Sequence, residues 1–279
     1  MIVAVENIPV FTEVIGKGKA IISIHGFAPD HRLMKACMEP IFTRRNGYRR
    51  IYFDLPGMGM TPAAKHIHNS DDMLHFVLEV IEQLCPEEEF ILAGEAYGAY
   101  LARGIVEKIP QRVLGLMLLC PLILPAHAER NLPEHVVLER HEAALAAYPE
   151  DIRNEIDALC VIQTLEMLYR TQEEILPALQ IADYEFLENF QANGFAFSYN
   201  VDQRMQNAAP YDRPTLFLTG RQDSSTGYQD AWKILENFPH ASFAVLDRAG
   251  HNLQIEQPTL FNTLTLEWLD RIERVKNAG

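Results

Sequence analysis

The chain has 279 residues, 48% of them hydrophobic and 22% charged, which is an ordinary globular balance with enough length for a large core. Its formal net charge of −14 disfavours nucleic acids and anionic membranes as partners. The sequence shows neither a signal peptide nor an apolar run long enough to span a bilayer, so we expect a cytoplasmic protein without a membrane partner.

Short apolar runs alternate with helical patterns through residues 1–121. The runs predict strands at Ile2–Val5, Val10–Ile15, Ala20–Ile24, Arg50–Asp54, Phe90–Ala93 and Val113–Leu119. Helical spacing predicts helices at Leu33–Arg44, Asp71–Leu84 and Ala99–Lys108. The glycines at 16 and 18 predict a tight turn, and hence a hairpin that leads into the third strand. Strands that alternate with helices predict a mostly parallel sheet covered on both faces.

The alternation stops near Pro121 and resumes after Pro214. Between them, helical patterns without a convincing strand run through Glu134–Ala147, Ile152–Tyr169 and Asp183–Phe190. The last part contains predicted strands at Thr215–Thr219 and Ser242–Leu246, and predicted helices at Gly227–Phe238 and Pro258–Lys276. We therefore predict a core domain of residues 1–121 and 211–279, with a helical insertion of residues 122–210.

The segment at 90–98, FILAGEAYG, has the layout of a nucleophile elbow. A buried strand leads into Gly94, and a helix continues after Gly98. Because the turn is tight and other backbone must pass close to its apex, a Cβ atom at either glycine would clash. Such an elbow carries a serine at the apex, where this chain has Ala96. Glu95 is one residue away from the apex, so we expect its side chain to point elsewhere.

Two polar residues that follow predicted strands suit the other parts of a hydrolytic site. His251 follows the last strand, and imidazole has the pKa that a general base needs. Asp223 follows the preceding strand and could accept the second imidazole N–H. Asp230 and Asp247 are alternatives, but the first falls within a predicted helix and the second follows the same strand as His251. Asp223 is therefore preferred.

An acyl-transfer site also needs two N–H donors for its oxyanion. His25, Gly26 and Phe27 directly follow the third predicted strand, and Gly26 allows a close approach. The backbone N–H of Phe27 could then supply one donor. The N–H of Tyr97, just past the apex and at the start of a helix, could supply the other.

These segments together resemble the α/β-hydrolase family over nearly the whole chain. The matching pieces, in chain order, are HGF at 25–27, DLPGMGMT at 54–61, GEAYG at 94–98, TGRQD at 219–223 and AGHN at 249–252. The order of nucleophile, acid and base is also that of the family.

The resemblance implies the α/β-hydrolase fold, with a mostly parallel eight-stranded sheet flanked by helices and a helical cap inserted after strand six. It implies that Phe27 and Tyr97 form the oxyanion hole. It also implies that Asp223 and His251 complete a catalytic triad with position 96. The residues that would support this site are His25, Gly26, Gly94 and Gly98.

Alanine at position 96 departs from the family pattern and has three explanations. The serine has been replaced deliberately to stop turnover and trap a ligand, or the chain is a natural non-catalytic relative that binds a ligand. In the third explanation, His251 acts as a base without a covalent intermediate. We favour a replaced serine, because the two flanking glycines, Asp223 and His251 are all that a working elbow otherwise needs.

The expected function is that of a serine hydrolase of the carboxylesterase type. Its substrate would be a small or medium compound with an apolar acyl or alcohol part, and the alternative is a non-catalytic ligand-binding module. The insertion should roof the site and set specificity. Its aromatic residues are expected to fill the insertion's own core, with a few lining the pocket, whereas Arg130 and Arg140 are expected to be solvated.

No metal or other cofactor is expected. His66 and His68 lie near Asp71 and Asp72 in the sequence, but a solvated loop explains this better than a ligand set. The four cysteines are far apart, which favours buried reduced thiols over disulfides or a zinc site.

Overall fold

An eight-stranded sheet forms the centre of the molecule. The computed structural model describes residues 1–277, and the side chains of residues 1–275. The strands are β1 (Ile2–Val5), β2 (Ile8–Gly16), β3 (Lys19–Ile24), β4 (Tyr48–Phe53), β5 (Phe90–Glu95), β6 (Val113–Leu119), β7 (Glu139–Arg140), β8 (Ile162–Gln163), β9 (Thr215–Gly220) and β10 (Ala241–Leu246). The short strands β7 and β8 pair with each other, and the others form the main sheet.

The strand order of the main sheet is β1-β2-β4-β3-β5-β6-β9-β10. The six strands β4, β3, β5, β6, β9 and β10 are parallel to one another, whereas β2 is antiparallel to both β1 and β4. The carboxyl ends of β3, β5, β6, β9 and β10 therefore meet along one edge of the sheet. This topology confirms the predicted fold class.

The predicted hairpin at residues 16–19 is wrong. β2 pairs with β4 and not with β3, because β4 lies between them in the sheet. The hairpin of this region joins β1 and β2 instead, through Glu6 and Asn7, which have φ of 49° and 67°. Gly18 is needed for a different reason, since a Cβ atom there would lie 2.2 Å from the carbonyl oxygen of Gly47.

Helices connect the strands and fill the insertion. They are α1 (His31–Phe42), α2 (Ser70–Leu84), α3 (Tyr97–Lys108), α4 (Glu142–Leu145), α5 (Glu150–Leu159), α6 (Leu165–Glu174), α7 (Leu176–Leu179), α8 (Tyr184–Gly194), α9 (Val201–Ala208), α10 (Gln229–Lys233), α11 (Leu253–Glu256) and α12 (Pro258–Asn277). The predicted helix at Gly227–Phe238 is shorter than expected, because only α10 and one following 3₁₀ turn are helical. None of the described helices combines the length and apolar composition that a membrane crossing requires.

The two faces of the sheet bury separate apolar clusters, as the two-residue period of strands requires. Leu92 of β5 packs in the cluster that contains residues of α2 and α3. Ile91 and Ala93, on the opposite face of the same strand, pack in the cluster that contains residues of α1 and α12. The face that carries Ile91 and Ala93 is also the face to which Glu95 belongs.

Residues 122–210, the predicted insertion, are less regular than expected. Only α4 is helical within the predicted Glu134–Ala147 helix, and the predicted Ile152–Tyr169 helix is divided between α5 and α6. The cause is strand pairing. The amides of Leu138 and Glu139 donate to the carbonyl of Val161, so the chain is extended there and forms the β7–β8 pair.

Arg103 attaches the insertion to the core. Its side chain is fully buried in α3 and pairs with Asp202 of α9. The same guanidinium donates to the carbonyl of Leu122 at 2.8 Å, directly where the insertion begins. Because a buried guanidinium must keep its partners, this contact fixes α9 against the core.

Candidate active site

The turn between β5 and α3 has strained backbone. Ala96 has φ of 48° and ψ of −109°, a conformation that costs a residue with a side chain about 1–3 kcal/mol. The end of β6 holds it in place, because the Ala96 amide donates to the carbonyl of Leu119 and its carbonyl accepts the amide of Leu122. The apex is nearly covered, with 7% of Ala96 exposed.

The flanking glycines are required sterically, as predicted. A Cβ atom at Gly94 would lie 2.4 Å from the carbonyl oxygen of Gly98. A Cβ atom at Gly98 would lie 2.2 Å from the carbonyl oxygen of Ile24. The elbow therefore packs directly against the end of β3, where the His25–Phe27 loop starts.

His251 and Asp223 meet at the carboxyl edge of the sheet, on the loops after β10 and β9. His251 Nδ1 lies 3.1 Å from Asp223 Oδ2. The other carboxylate oxygen accepts the amides of Ser225 and Thr226 at 2.9 and 3.0 Å, and the Thr226 hydroxyl lies 2.7 Å from Oδ2. The carboxylate is thus fixed by its own loop, and it holds the imidazole with Nε2 directed away from it.

Electrostatic interactions favour an ionised Asp223 and a protonated His251. Burial alone would raise the pKa of Asp223, but the charge and hydrogen bond of His251, together with Thr226, outweigh it and lower that pKa to about 2. Burial alone would lower the pKa of His251, but the charges of Asp223 and Glu95 outweigh it and raise that pKa to about 9.

The two alternative aspartates are engaged elsewhere. Asp230 accepts the amide of Asn131 at 2.8 Å and pairs with Lys233 at 2.8 Å. Asp247 is exposed and accepts a hydrogen bond from the Gln222 side chain. Of the three candidates, it is Asp223 that contacts His251.

The loop after β3 lies beside the elbow. His25 is buried, its Nε2 accepts the amide of Leu55 at 3.0 Å, and its Nδ1 donates to the carbonyl of Gly26 at 2.7 Å. Burial lowers the pKa of His25 despite the opposing charge of Asp54, so the imidazole is a neutral structural brace. A Cβ atom added to Gly26 would lie 3.4 Å from the Ala96 methyl, and the rings of Phe27 and Tyr97 are 5.4 Å apart.

The expectation for Glu95 is wrong, because its carboxylate lies inside the site. Glu95 Oε1 is 3.3 Å from His251 Nε2, and the residue is only 2% exposed. The two-residue period of β5 explains this. Glu95 shares a face with Ile91 and Ala93, and the His251 loop leads into α11 and α12 on that same face.

A sequence model of the alpha/beta hydrolase fold matches residues 19–258. The chain belongs to the alpha/beta hydrolase family. It is 22% identical to a pimeloyl-[acyl-carrier protein] methyl ester esterase of Legionella pneumophila, covering 91% of this chain and 96% of that one. It is also 22% identical to a 2-hydroxy-6-oxononadienedioate/2-hydroxy-6-oxononatrienedioate hydrolase of Pseudomonas putida, covering 91% of this chain and 89% of that one.

Solved structures agree with this assignment. An alpha/beta superfamily hydrolase from Oenococcus oeni PSU-1 superposes with a TM-score of 0.87 at 29% identity, over 98% of this chain and 99% of that one. The match extends through the insertion, since it covers almost the whole of both chains.

In this chain, aromatic rings from residues 122–210 cover the elbow. The ring of Phe195 stacks on Tyr97 at 5.0 Å and meets Phe27 edge-on at 5.0 Å. Phe190 packs on both Phe27 and Tyr97, with centroid distances of 5.9 and 6.1 Å. Ser70 holds this arrangement, because its hydroxyl lies 2.8 Å from both the Tyr97 hydroxyl and the Phe195 carbonyl.

An open cavity of about 690 Å³ lies beside this aromatic cover, between residues 125–130 and 191–196. Phe195 and Arg130 both line it. Arg130 is half-buried rather than solvated as expected, and it donates to the carbonyls of Leu124, Pro125 and Ser225. Burial lowers the pKa of Arg130, and its charge opposes protonation of His251. Arg140 is exposed, as expected, and pairs with Asp157.

Two groups of potential metal ligands occur among the described residues. One is Cys120 with Asp223 and His251, and the other is Asp30 with His31 and Asp54. In the first, burial raises the pKa of the Cys120 thiol, so it stays protonated. In the second, Asp54 accepts both the amide and Nδ1 of His31. Both groups are explained by hydrogen bonding within the protein.

Sequence reasoning missed three residues that shape the site. Glu95 could have been found from the period of its strand. Thr226 could have been found because an aspartate in a loop commonly bonds to the backbone two residues on, here Ser225, and Thr226 follows directly. Glu256 accepts the amides of Val161, Ile162 and Gly250. It carries no local signal for its contact with the insertion, since Val161 and Ile162 lie 95 and 94 residues away in the sequence.

Proposed function

We propose that this chain is a serine-type acyl hydrolase of the carboxylesterase kind in which alanine occupies the nucleophile position. The observation that carries the proposal is the Asp223–His251 pair beside a strained elbow whose apex is Ala96. The pair has the composition and polarity of a general base with its orienting acid. As it stands, the chain is expected to be inactive or nearly so, because a methyl group cannot attack a carbonyl carbon.

The proposed roles follow the geometry. A hydroxyl at position 96 would attack the acyl carbon and give its proton to His251 Nε2, while Asp223 stabilises the imidazolium. The N–H groups of Phe27 and Tyr97 would bind the oxyanion. The imidazolium would then protonate the departing alcohol, and water would release the acid by the same steps in reverse.

We propose that the insertion, residues 122–210, acts as a cap over a core of residues 1–121 and 211–279. The aromatic cover of Phe190 and Phe195 supports a ligand with an apolar part, and the cavity beside Arg130 supports entry from that side. The Legionella and Pseudomonas relatives are named as an ester hydrolase and a hydrolase of a dicarboxylic acid. Both names are compatible with a small or medium acyl substrate.

Restoring the hydroxyl tests this function. We expect Ala96→Ser to hydrolyse short p-nitrophenyl esters at least about a thousandfold faster than the unmodified chain, since the oxyanion donors alone give only residual catalysis. Release of p-nitrophenol in steady state measures it. The gain should disappear in Ala96→Ser/His251→Ala and should survive in Ala96→Ser/Asp247→Asn, because Asp247 does not contact His251. A folded Ala96→Ser protein that is no faster than the unmodified chain across a series of acyl lengths would refute the proposal.

The second candidate is a non-catalytic ligand-binding module on the same scaffold. It is favoured by Ala96 itself and by the occupation of His251 Nε2 by Glu95. It predicts that the unmodified chain binds an ester without turnover and that Ala96→Ser adds no hydrolysis. Calorimetric binding of a p-nitrophenyl ester to both proteins, beside the kinetic assay, separates the two functions.

A further inference from the structure

Glu95 is an acidic side chain at the site that the proposed triad does not use. It is the last residue of β5, it is 2% exposed, and its Oε1 lies 3.3 Å from His251 Nε2. Its other oxygen, Oε2, is buried beside the backbone of Gly26 and has no side-chain partner among the described residues. A side chain at Gly26 would meet this oxygen at 2.2 Å, so the glycine of the HGF segment leaves room for it.

The two ring nitrogens of His251 therefore have different acidic partners. Asp223 lies at Nδ1 and Glu95 at Nε2. In a serine hydrolase, Nε2 is the atom that takes the proton of the nucleophile. An imidazole placed between two ionised carboxylates can donate from both nitrogens only as the cation.

We propose that Glu95 is a positioning residue that pairs with His251 Nε2, holds the imidazole as a cation in the resting site, and so competes with a nucleophile at position 96 for that nitrogen. Asp223 alone would orient the ring and leave Nε2 free. With Glu95 in place, His251 can act as a base only after the Glu95 carboxylate has moved away from Nε2. The kinetic part of this inference rests on the proposed function, whereas the pairing can be tested in the chain as it stands.

Charged groups near Glu95 and His251 shift the protonation of His251 in opposite directions. Arg130 opposes the cation, while the acids Asp223 and Glu95 favour it. Burial raises the pKa of Glu95 to about 7, and His251 opposes that shift. Among the described residues, the charge of Glu95 or Asp223 also acts on the buried thiols of Cys37 and Cys120 and on the carboxylate of Glu256, whose pKa burial raises. Both thiols have a raised pKa, and they remain neutral over the range in which His251 titrates.

The test is a histidine ¹⁵N NMR titration of the unmodified chain, with the His251 signals assigned by their loss in His251→Gln. We expect His251 to be protonated at pH 7.5, and its pKa to fall by at least about one unit in Glu95→Gln. Asp247→Asn, which removes a charge from the loop that carries His251, is the matched control and should leave the pKa within a few tenths. A neutral His251 at pH 7.5 in the unmodified chain overturns the inference, even if Glu95→Gln does not fold. An unchanged pKa in Glu95→Gln also overturns it.

A kinetic measurement gives an independent readout. In Ala96→Ser, the limb of the kcat/KM profile that reports the base should move to lower pH by about one unit when Glu95→Gln is added, which is about a tenfold gain below that limb. Adding Glu95→Asp, whose carboxylate is one methylene shorter, should give an intermediate profile. An unmoved limb would show that Glu95 does not compete at Nε2. If Ala96→Ser is inactive, the proposed function fails, and the NMR titration still decides the role of Glu95.

Discussion

At the scale of single residues, the site depends on positions at which a side-chain atom would clash with neighbouring backbone. The elbow is crossed so closely by the end of β3 that Gly98 has no space for a methyl group. Ala96 sits in left-handed backbone at the same turn. The surrounding structure therefore holds position 96 in a fixed place at the expense of local strain, which is the condition for presenting a nucleophile.

A comparison of Gly98→Ala with Gly47→Ala separates the cost of a steric clash from the cost of left-handed backbone. The Cβ added at Gly98 would lie 2.2 Å from the Ile24 carbonyl oxygen, so we expect a loss of about 3 kcal/mol or more in the free energy of unfolding. Gly47→Ala is the control, because Gly47 has φ of 88° but open space around it. It should lose only about 1–2 kcal/mol, the cost of left-handed backbone. Urea unfolding measures both, and equal losses would contradict the packing described for the elbow.

At the scale of elements, contiguous apolar runs made the strands of the sheet predictable. β6 has the bounds predicted for it, Val113–Leu119, because a strand buried on both faces consists of apolar residues without a polar position. The partner of β2 was not predictable, since the glycine turn before β3 gives no information about β4. The insertion was predicted least well, because the β7–β8 pair depends on residues far apart in the sequence.

The residues of the site were likewise predictable only in part. The positions of Asp223 and His251 followed from the rule that polar residues after parallel strands meet at one edge. The position of Glu95 does not follow from its distance to the apex, because the face of β5 on which it lies directs its side chain toward His251. Glu256 could not be predicted, since its role is to join the loop of His251 to β8.

Glu256 is expected to be the main polar link between the insertion and that loop. Glu256→Ala would leave the amides of Val161, Ile162 and Gly250 without their acceptor, and each buried unsatisfied amide costs about 1–3 kcal/mol. We therefore expect a loss of about 3 kcal/mol or more in urea unfolding, together with faster proteolysis within the insertion.

Glu139→Ala is the matched control for this link. Glu139 pairs with Arg248 between the same two regions, but both side chains are about half exposed, so the pair should contribute less than about 1 kcal/mol. If the two variants lost equal stability, the buried carboxylate would not have the role assigned to it.

At the scale of the whole molecule, the parallel sheet brings four distant segments to one edge. The HGF loop follows β3, the elbow follows β5, and the loops of Asp223 and His251 follow β9 and β10. The insertion then covers this edge with Phe190 and Phe195. Because Ala96 is nearly covered beneath these rings, the arrangement fits a small-molecule ligand better than a macromolecular one.

The central claim is that position 96 is the nucleophile position of an acyl-hydrolase site activated by His251. Covalent labelling tests it most directly: the unmodified chain, Ala96→Ser and Ala96→Ser/His251→Ala are treated with a fluorophosphonate and digested, and the peptide that contains residue 96 is weighed by mass spectrometry. The account predicts one phosphonyl group on that peptide in Ala96→Ser, with little or none in the other two proteins. An unlabelled but folded Ala96→Ser protein, or labelling that is as fast without His251, would contradict it.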